Sequence, residues 1–260
     1  MQNSIFNKST IKNMKNQNAT KSISFTSMLF LFVFMLTGCE GLFSKEVMQG
    51  DGNVNQYVFE TETFHAIEIK GVFNVLLTQG NEQEVFLDVD SNLLDQISIE
   101  VQNEVLIVGI NRENFVRPTK INLHVTYVDL DRISSSGASK IFASNPVTTE
   151  SLHISLSGAT DINLEMNVKE LTTSVSGASN VNFSGKSTDH FAEMNGAGSF
   201  QAENLITDYT KISLSGAGVV YVHAKQKLDA NVSGVGNVYY AGEPEEKKFT
   251  RRGIGVIRQL

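Results

Sequence analysis

The chain has 260 residues, 41% of them hydrophobic, with 20 Gly, 3 Pro, no Trp and a formal charge of −7. The four lysines before Cys39 stand without an acid, so the remainder carries 17 basic against 28 acidic residues, net −11. So acidic a body excludes a phosphate-backbone binder, which needs clustered Lys and Arg. A single cysteine excludes an intrachain disulfide and any multi-cysteine metal centre.

Residues 1–38 read as a targeting segment. A basic, Asn-rich stretch leads into "MLFLFVFML", residues 28–36. That run is too short for a typical membrane-spanning helix and fits the apolar region of a secretory signal. "LTGC" follows, Leu36-Thr37-Gly38-Cys39. It resembles the lipobox of bacterial lipoproteins, which implies cleavage before Cys39 and acylation of its thiol. More than one acyl chain gives stable membrane attachment. Residues 39–55 then read as a lipidated tether, and residues 56–260 as one domain.

The domain is rich in Val, Ile, Thr, Ser and Asn, which favours strands. In "FHAIEIKGVFNVLLTQG" (64–80) the alternate residues Ile67, Ile69, Gly71, Phe73 and Val75 share one face. Residues 83–110 predict three strands, Val85–Val89, Ile97–Val101 and Val105–Ile110. "SNLLDQ" forms a helical turn between the first two, and "QNE" a tight turn into the last.

From residue 134 a short phrase recurs: "SSSGASKI", "SLSGATDI", "SVSGASNV", "EMNGAGSF", "SLSGAGVV" and "NVSGVGNV". Its glycines are Gly137, Gly158, Gly177, Gly196, Gly216 and Gly234, spaced by 21, 19, 19, 20 and 18 residues. Self-similarity at that period signals a repeat architecture. It is too short for helix pairs or propeller blades and matches one coil of a β-solenoid. Around Gly158 the alternate residues Ile154, Leu156, Thr160, Ile162, Leu164 and Met166 are apolar or small, and their partners are mostly polar. This period of two marks strands with one buried and one wet face. The parity runs through the glycine, where a hairpin turn would end it. Gly71 and the six repeat glycines are therefore read as inward corners, where little room or an unusual backbone angle demands glycine. The preceding Ser or Asn195 stands outside, able to hydrogen-bond from coil to coil. "FTRRGIGVIRQL" (249–260) is a last repeat, with Gly253 and Gly255 in corner register. The fold class expected is all-β, with roughly eight coils.

The segment "IEIKGVFNVLLTQGNEQEVFLDVDSNLLDQISIEVQNEVLIV", the "SGAS", "SGAT" and "SGAG" repeats and "SGVGNVYYAGEP" together resemble the putative auto-transporter adhesin, head GIN domain family. The resemblance covers about residues 55–260. It implies a right-handed parallel β-helix-like solenoid, frequent among secreted bacterial lipoproteins. The signature tripeptide appears as Gly236-Asn237-Val238. No catalytic motif comes with the family.

Asp161, Glu165, Glu193 and Glu203 are outward acids that do not share a repeat position, so they make no carboxylate pair of the kind a glycosidase needs. His65, His124, His153, His190 and His223 sit at different phases and should not converge on a metal. A calcium-binding repeat needs an Asp at one fixed slot. Here that slot holds Lys140, Asp161, Asn180, Ser199, Val219 and Asn237. No motif requires a cofactor. Tyr209, Tyr221, Tyr239 and Tyr240 are candidate sugar-stacking aromatics, Tyr239 outward by parity.

The function expected is a lipid-anchored envelope protein of the outer membrane. It works as an adhesin or interaction module without catalysis, through a surface glycan or protein ligand. The alternatives are a periplasmic structural or assembly lipoprotein, and a polysaccharide-active β-helix enzyme.

Overall fold

The computed structural model describes residues 47–111 and 115–260, which fall in one compact unit. Their regular elements are strands, apart from one 3-10 turn at Ser91–Gln96. The chain winds into stacked coils of about 19 residues over about seven turns.

Each coil lies parallel to the one before and in register with it. Asp161–Val175 pairs residue by residue with Ala178–Met194, and that strand pairs with Ala197–Leu214. The alternation dictates the core. Ile154, Leu156, Ile162, Leu164 and Met166 are buried, while Ser157, Asp161, Asn163 and Glu165 between them are exposed. Parallel stacking places like positions above like, so the interior becomes columns of Ile, Leu, Val and Phe.

The glycine column sets how closely the coils approach. A Cβ built on Gly158 would lie 1.9 Å from the carbonyl oxygen of Gly137, and one on Gly177 would lie 1.9 Å from that of Gly158. The pattern runs from Gly137 over Gly71 to Gly253 over Gly234. Of the two reasons foreseen for glycine, lack of room governs this column. The obstacle is the backbone of the neighbouring coil, which no rotamer change can clear. Close approach makes a hydrogen-bond ladder. Ala159 N–H donates to Gly137 O (2.9 Å), Ala178 to Gly158 (3.0 Å) and Ala197 to Gly177 (3.0 Å). Small hydroxyl side chains add to it. Ser157 and Ser176 donate outside the corner to the carbonyls of Ser135 and Leu156. Inside it, Ser139 and Ser179 donate to Gly71 O and Gly158 O. The buried hydroxyls of Ser139 and Ser179 therefore find partners.

The first half departs from simple coiling. Glu84–Asp90 lies antiparallel to both Val54–Phe59 and Ile121–Tyr127. Ile97–Gln102 and Val105–Ile110 form a hairpin, closed by Asn103 and Glu104 at φ 50° and 63°. Positive φ at both central residues is the turn that suits the strand twist. These strands thicken the end of the stack without adding full turns, which is why the coils number about seven rather than eight. The three predicted strands and the helical turn all lie where the pattern put them.

Among the described residues pairing is already present at Val47, inside the stretch read as tether, where Val47–Gln49 runs parallel to Phe115–Arg117. Asp90 ties this region together. Its buried carboxylate accepts from Gly52 N–H, Thr119 N–H and the Thr119 hydroxyl. Burial alone would raise its pKa, but those donors outweigh burial and hold it below the ordinary value.

Gly177→Ala is expected to cost about 3 kcal/mol or more, because a methyl group must displace the Gly158 backbone. Urea unfolding measures this against Ser176→Ala, which loses one hydroxyl bond and about 1 kcal/mol. Equal stability of the two variants would refute the close-packing account.

Candidate binding surfaces

The structure offers two surfaces. One is a cleft of about 1140 Å³ at the bend opposite the glycine corner. Near Ile206 and Asp208, which line it, the ladder loses register, between Ala202 and Ile206 and between Thr207 and Tyr209. The cleft walls include Thr148, Val168, Lys186, Ile206 and His223. Lys169 pairs with Glu150, and Lys225 Nζ lies 3.3 Å from Asp208. Hydrogen bonding to Glu150 raises the Lys169 pKa. These pairs are solvent-exposed, so they tune the charge of the rim more than stability.

The other surface is the broad sheet face that follows the corner. Parallel register turns two outward positions of each coil into two stripes. The fifth residue after each corner glycine gives Leu76, Phe142, Asn163, Asn182, Gln201, Tyr221, Tyr239 and Arg258. His124 and Phe86 continue it beyond Leu76. The third residue after the glycine gives the companion stripe, Asn74, Lys140, Asp161, Asn180, Ser199, Val219 and Asn237.

The stripes are knitted along their length. Asn182 Nδ2 donates to Asn163 Oδ1 (3.1 Å), and Asn180 Nδ2 to Asp161 Oδ1 (2.9 Å). At one end Phe86 stacks on His124 with ring centroids 4.2 Å apart. At the other, Tyr221 stacks on Tyr239 at 5.2 Å, and the Arg258 guanidinium lies 5.5 Å from the Tyr239 ring. Phe142 stands between two shallow concavities of about 220 and 260 Å³, both of which it lines, and keeps 40% of its surface exposed.

The sequence-derived candidates divide as follows. Cys39, Leu36, Thr37 and Gly38 lie outside the described residues. Gly71, Gly137, Gly158, Gly177, Gly196, Gly216 and Gly234 are brought together as one structural column. Tyr221 and Tyr239 share the outer stripe, whereas Tyr209 lies beside Lys227 elsewhere and Tyr240 is buried. Asp161 stands beside Asn180, and Glu193 stands level with Ser174 and Ser213 in another column. His65 contacts Glu104 and Asp131, His124 stacks on Phe86, and His223 lines the cleft. Among the described residues no three His, Cys, Asp or Glu side chains group as a metal site would need. Also among them, no helix is long and apolar enough to cross a membrane.

The sequence does not mark Phe142, Asn163, Asn182 and Gln201 as binding residues. The signal was present, five residues after each glycine, but these side chains differ from coil to coil. Only stacking makes them one surface.

The chain is a β-solenoid whose outward stripes form an extended face. The family described as "Putative auto-transporter adhesin, head GIN domain" matches residues 63–244, and the chain belongs to it. The fold is also that of solved structures of low sequence identity. A putative adhesin from Bacteroides fragilis is 24% identical, with TM-score 0.80 over 82% of this chain and 100% of that one. A putative lipid binding protein from Parabacteroides distasonis is 19% identical, with TM-score 0.68 over 83% of this chain and 100% of that one. A putative adhesin from Parabacteroides merdae is 18% identical, with TM-score 0.59 over 83% and 99%. No curated protein matches the chain.

His190 supplies a test of the core beneath these surfaces. It is 1% exposed, stacks on Phe200 and has Thr173 Oγ1 at 3.5 Å. Burial pushes its pKa from 6.5 down to about 4. Between those values the unfolded chain binds the proton and the folded one does not, so stability falls as pH drops through that window. The loss is up to about 3 kcal/mol. Urea unfolding at pH 7 and pH 4.5 measures it, and His190→Met should flatten this part of the pH dependence. An unchanged slope would show that the imidazole is not held neutral.

Proposed function

We propose that the protein is a lipid-anchored adhesin of the outer membrane, held through Cys39, which engages a surface glycan or protein with its solenoid faces. The observation that carries this reading is the outward stripe from Phe86 to Arg258. It presents aromatic rings and amides to solvent along the stack. Apolar and aromatic surface gathered in one place marks interaction sites more often than scattered side chains do. Membership of the adhesin family supports it.

The anchor fits the division of charge. The segment before Cys39 is basic and apolar, and the remainder is acidic. An acidic body stays soluble and is repelled from an anionic surface, which suits display on a tether. Binding energy would come from repeated small contacts along a rigid track, and no chemical step is required.

Protease shaving of intact cells, with lysed cells as control, tests the display. Cleavage of the solenoid on intact cells is expected. Cleavage only after lysis would move the protein to the periplasmic face, as a structural or assembly lipoprotein. Cys39→Ala should release the protein from the membrane fraction; retention would refute acylation at that residue.

A further inference from the structure

We propose that the stripe between Phe142 and Tyr221, with its companion Asp161–Asn180–Ser199, is a binding track for a neutral, extended polysaccharide lying along the stack. This rests on the adhesin reading above and names its ligand class.

Asn163 and Asn182 exchange one bond along the stripe. Asn163 therefore keeps its amide N–H groups and Asn182 its carbonyl oxygen for a ligand. Gln201 Nε2 bonds Ser199 Oγ at 3.2 Å, which leaves the Gln201 carbonyl open. The result is a row of fixed groups, a donor at Asn163 followed by acceptors at Asn182 and Gln201. Sugar hydroxyls, each donor and acceptor at once, complement such a surface.

Charge narrows the choice. Between Phe142 and Tyr221 the stripe is wholly uncharged, and the companion positions Asp161, Asn180 and Ser199 carry one acid. No row of cations is available for nucleic acid or a polyanionic glycan. The strands here are paired on both sides, so a peptide cannot add to them as a further strand. The concavities beside Phe142 are shallow and hold no deep apolar pocket for a protein side chain.

Geometry narrows it further. Coils repeat at about 4.8 Å, the spacing of paired strands. An extended β-linked hexose chain advances by a similar length per sugar, so successive sugars meet successive coils. Phe142 and Tyr221 stand four strands apart, about 19 Å by that spacing. Phe142 offers an exposed ring to the C–H face of a pyranose, Tyr221, whose ring stacks on Tyr239, closes the other end, and three amide rungs lie between. The track is rigid before the ligand arrives, which lowers the ordering cost of binding.

Affinity electrophoresis of the full mature lipoprotein in mild detergent tests this. The gels contain hydroxyethylcellulose, mixed-linkage β-glucan, xylan, mannan or, as the charged control, polygalacturonate. Retardation by at least one neutral polymer is expected. Phe142→Ala and Tyr221→Ala should each weaken it about tenfold or more, the effect of losing an aromatic anchor. Asn182→Ala should weaken it too. Phe191→Ser, an exposed aromatic in a different column beside Thr172 and Lys211, should leave it unchanged. Thermal melting of each variant confirms that it is folded. No retardation by any neutral polymer would overturn the proposal, as would retardation by polygalacturonate alone, or binding indifferent to Phe142→Ala and Asn182→Ala. Surface display by protease shaving together with absent retardation would sink the ligand class and leave the adhesin reading standing. Retardation without surface display would do the reverse.

Discussion

The close approach of one glycine to the carbonyl of the glycine beneath it is the constraint on which the rest depends. At 1.9 Å between a hypothetical Cβ and the Gly158 oxygen, no other residue fits Gly177 without moving the coil below. The absence of a side chain lets the backbone donors reach across, as Ala178 N–H does to Gly158 O. That contact fixes vertical spacing and rotational register together. Once the corner is pinned, Leu156 must lie over Ser135 and beneath Val175. The interior then assembles from like residues, and burial of Ile, Leu, Val and Phe stabilises what the corner has aligned.

A parallel stack of this kind has two ends, each with an open strand edge that could recruit another chain. The first half of the sequence answers this with different geometry. Glu84–Asp90 joins antiparallel neighbours on both sides, and the hairpin Ile97–Ile110 adds its own pairing. The buried Asp90 carboxylate secures the segment around Gly52 and Thr119. At the other end the last strand, Ile257–Gln259, places Arg258 over Tyr239. Charge at an edge is a common guard against further pairing.

The same register that builds the core also builds the surface. One outward residue per coil is a scattered side chain in the sequence and a stripe in the fold. The broad face carries amides flanked by rings, whereas the cleft opposite the corner carries lysines and acids already paired with each other.

The sequence determined the coils. Period-two alternation fixed which residues face inward, and recurrence of glycine near every 19 residues fixed the corners. Both are local or repetitive signals, so one chain read alone displays them. The Ser91–Gln96 turn and the strands around it were legible for the same reason. The tertiary structure alone decided the rest. It decided that the corner glycines serve close backbone approach, since the obstructing carbonyl belongs to a residue about 19 positions away. It decided that Glu84–Asp90 pairs antiparallel with both its neighbours, because alternation is identical for either direction of pairing. And it decided that Phe142, Asn163, Asn182, Gln201 and Tyr221 are neighbours. A surface selects side chains for what they present together, and that sum exists only after the coils are stacked.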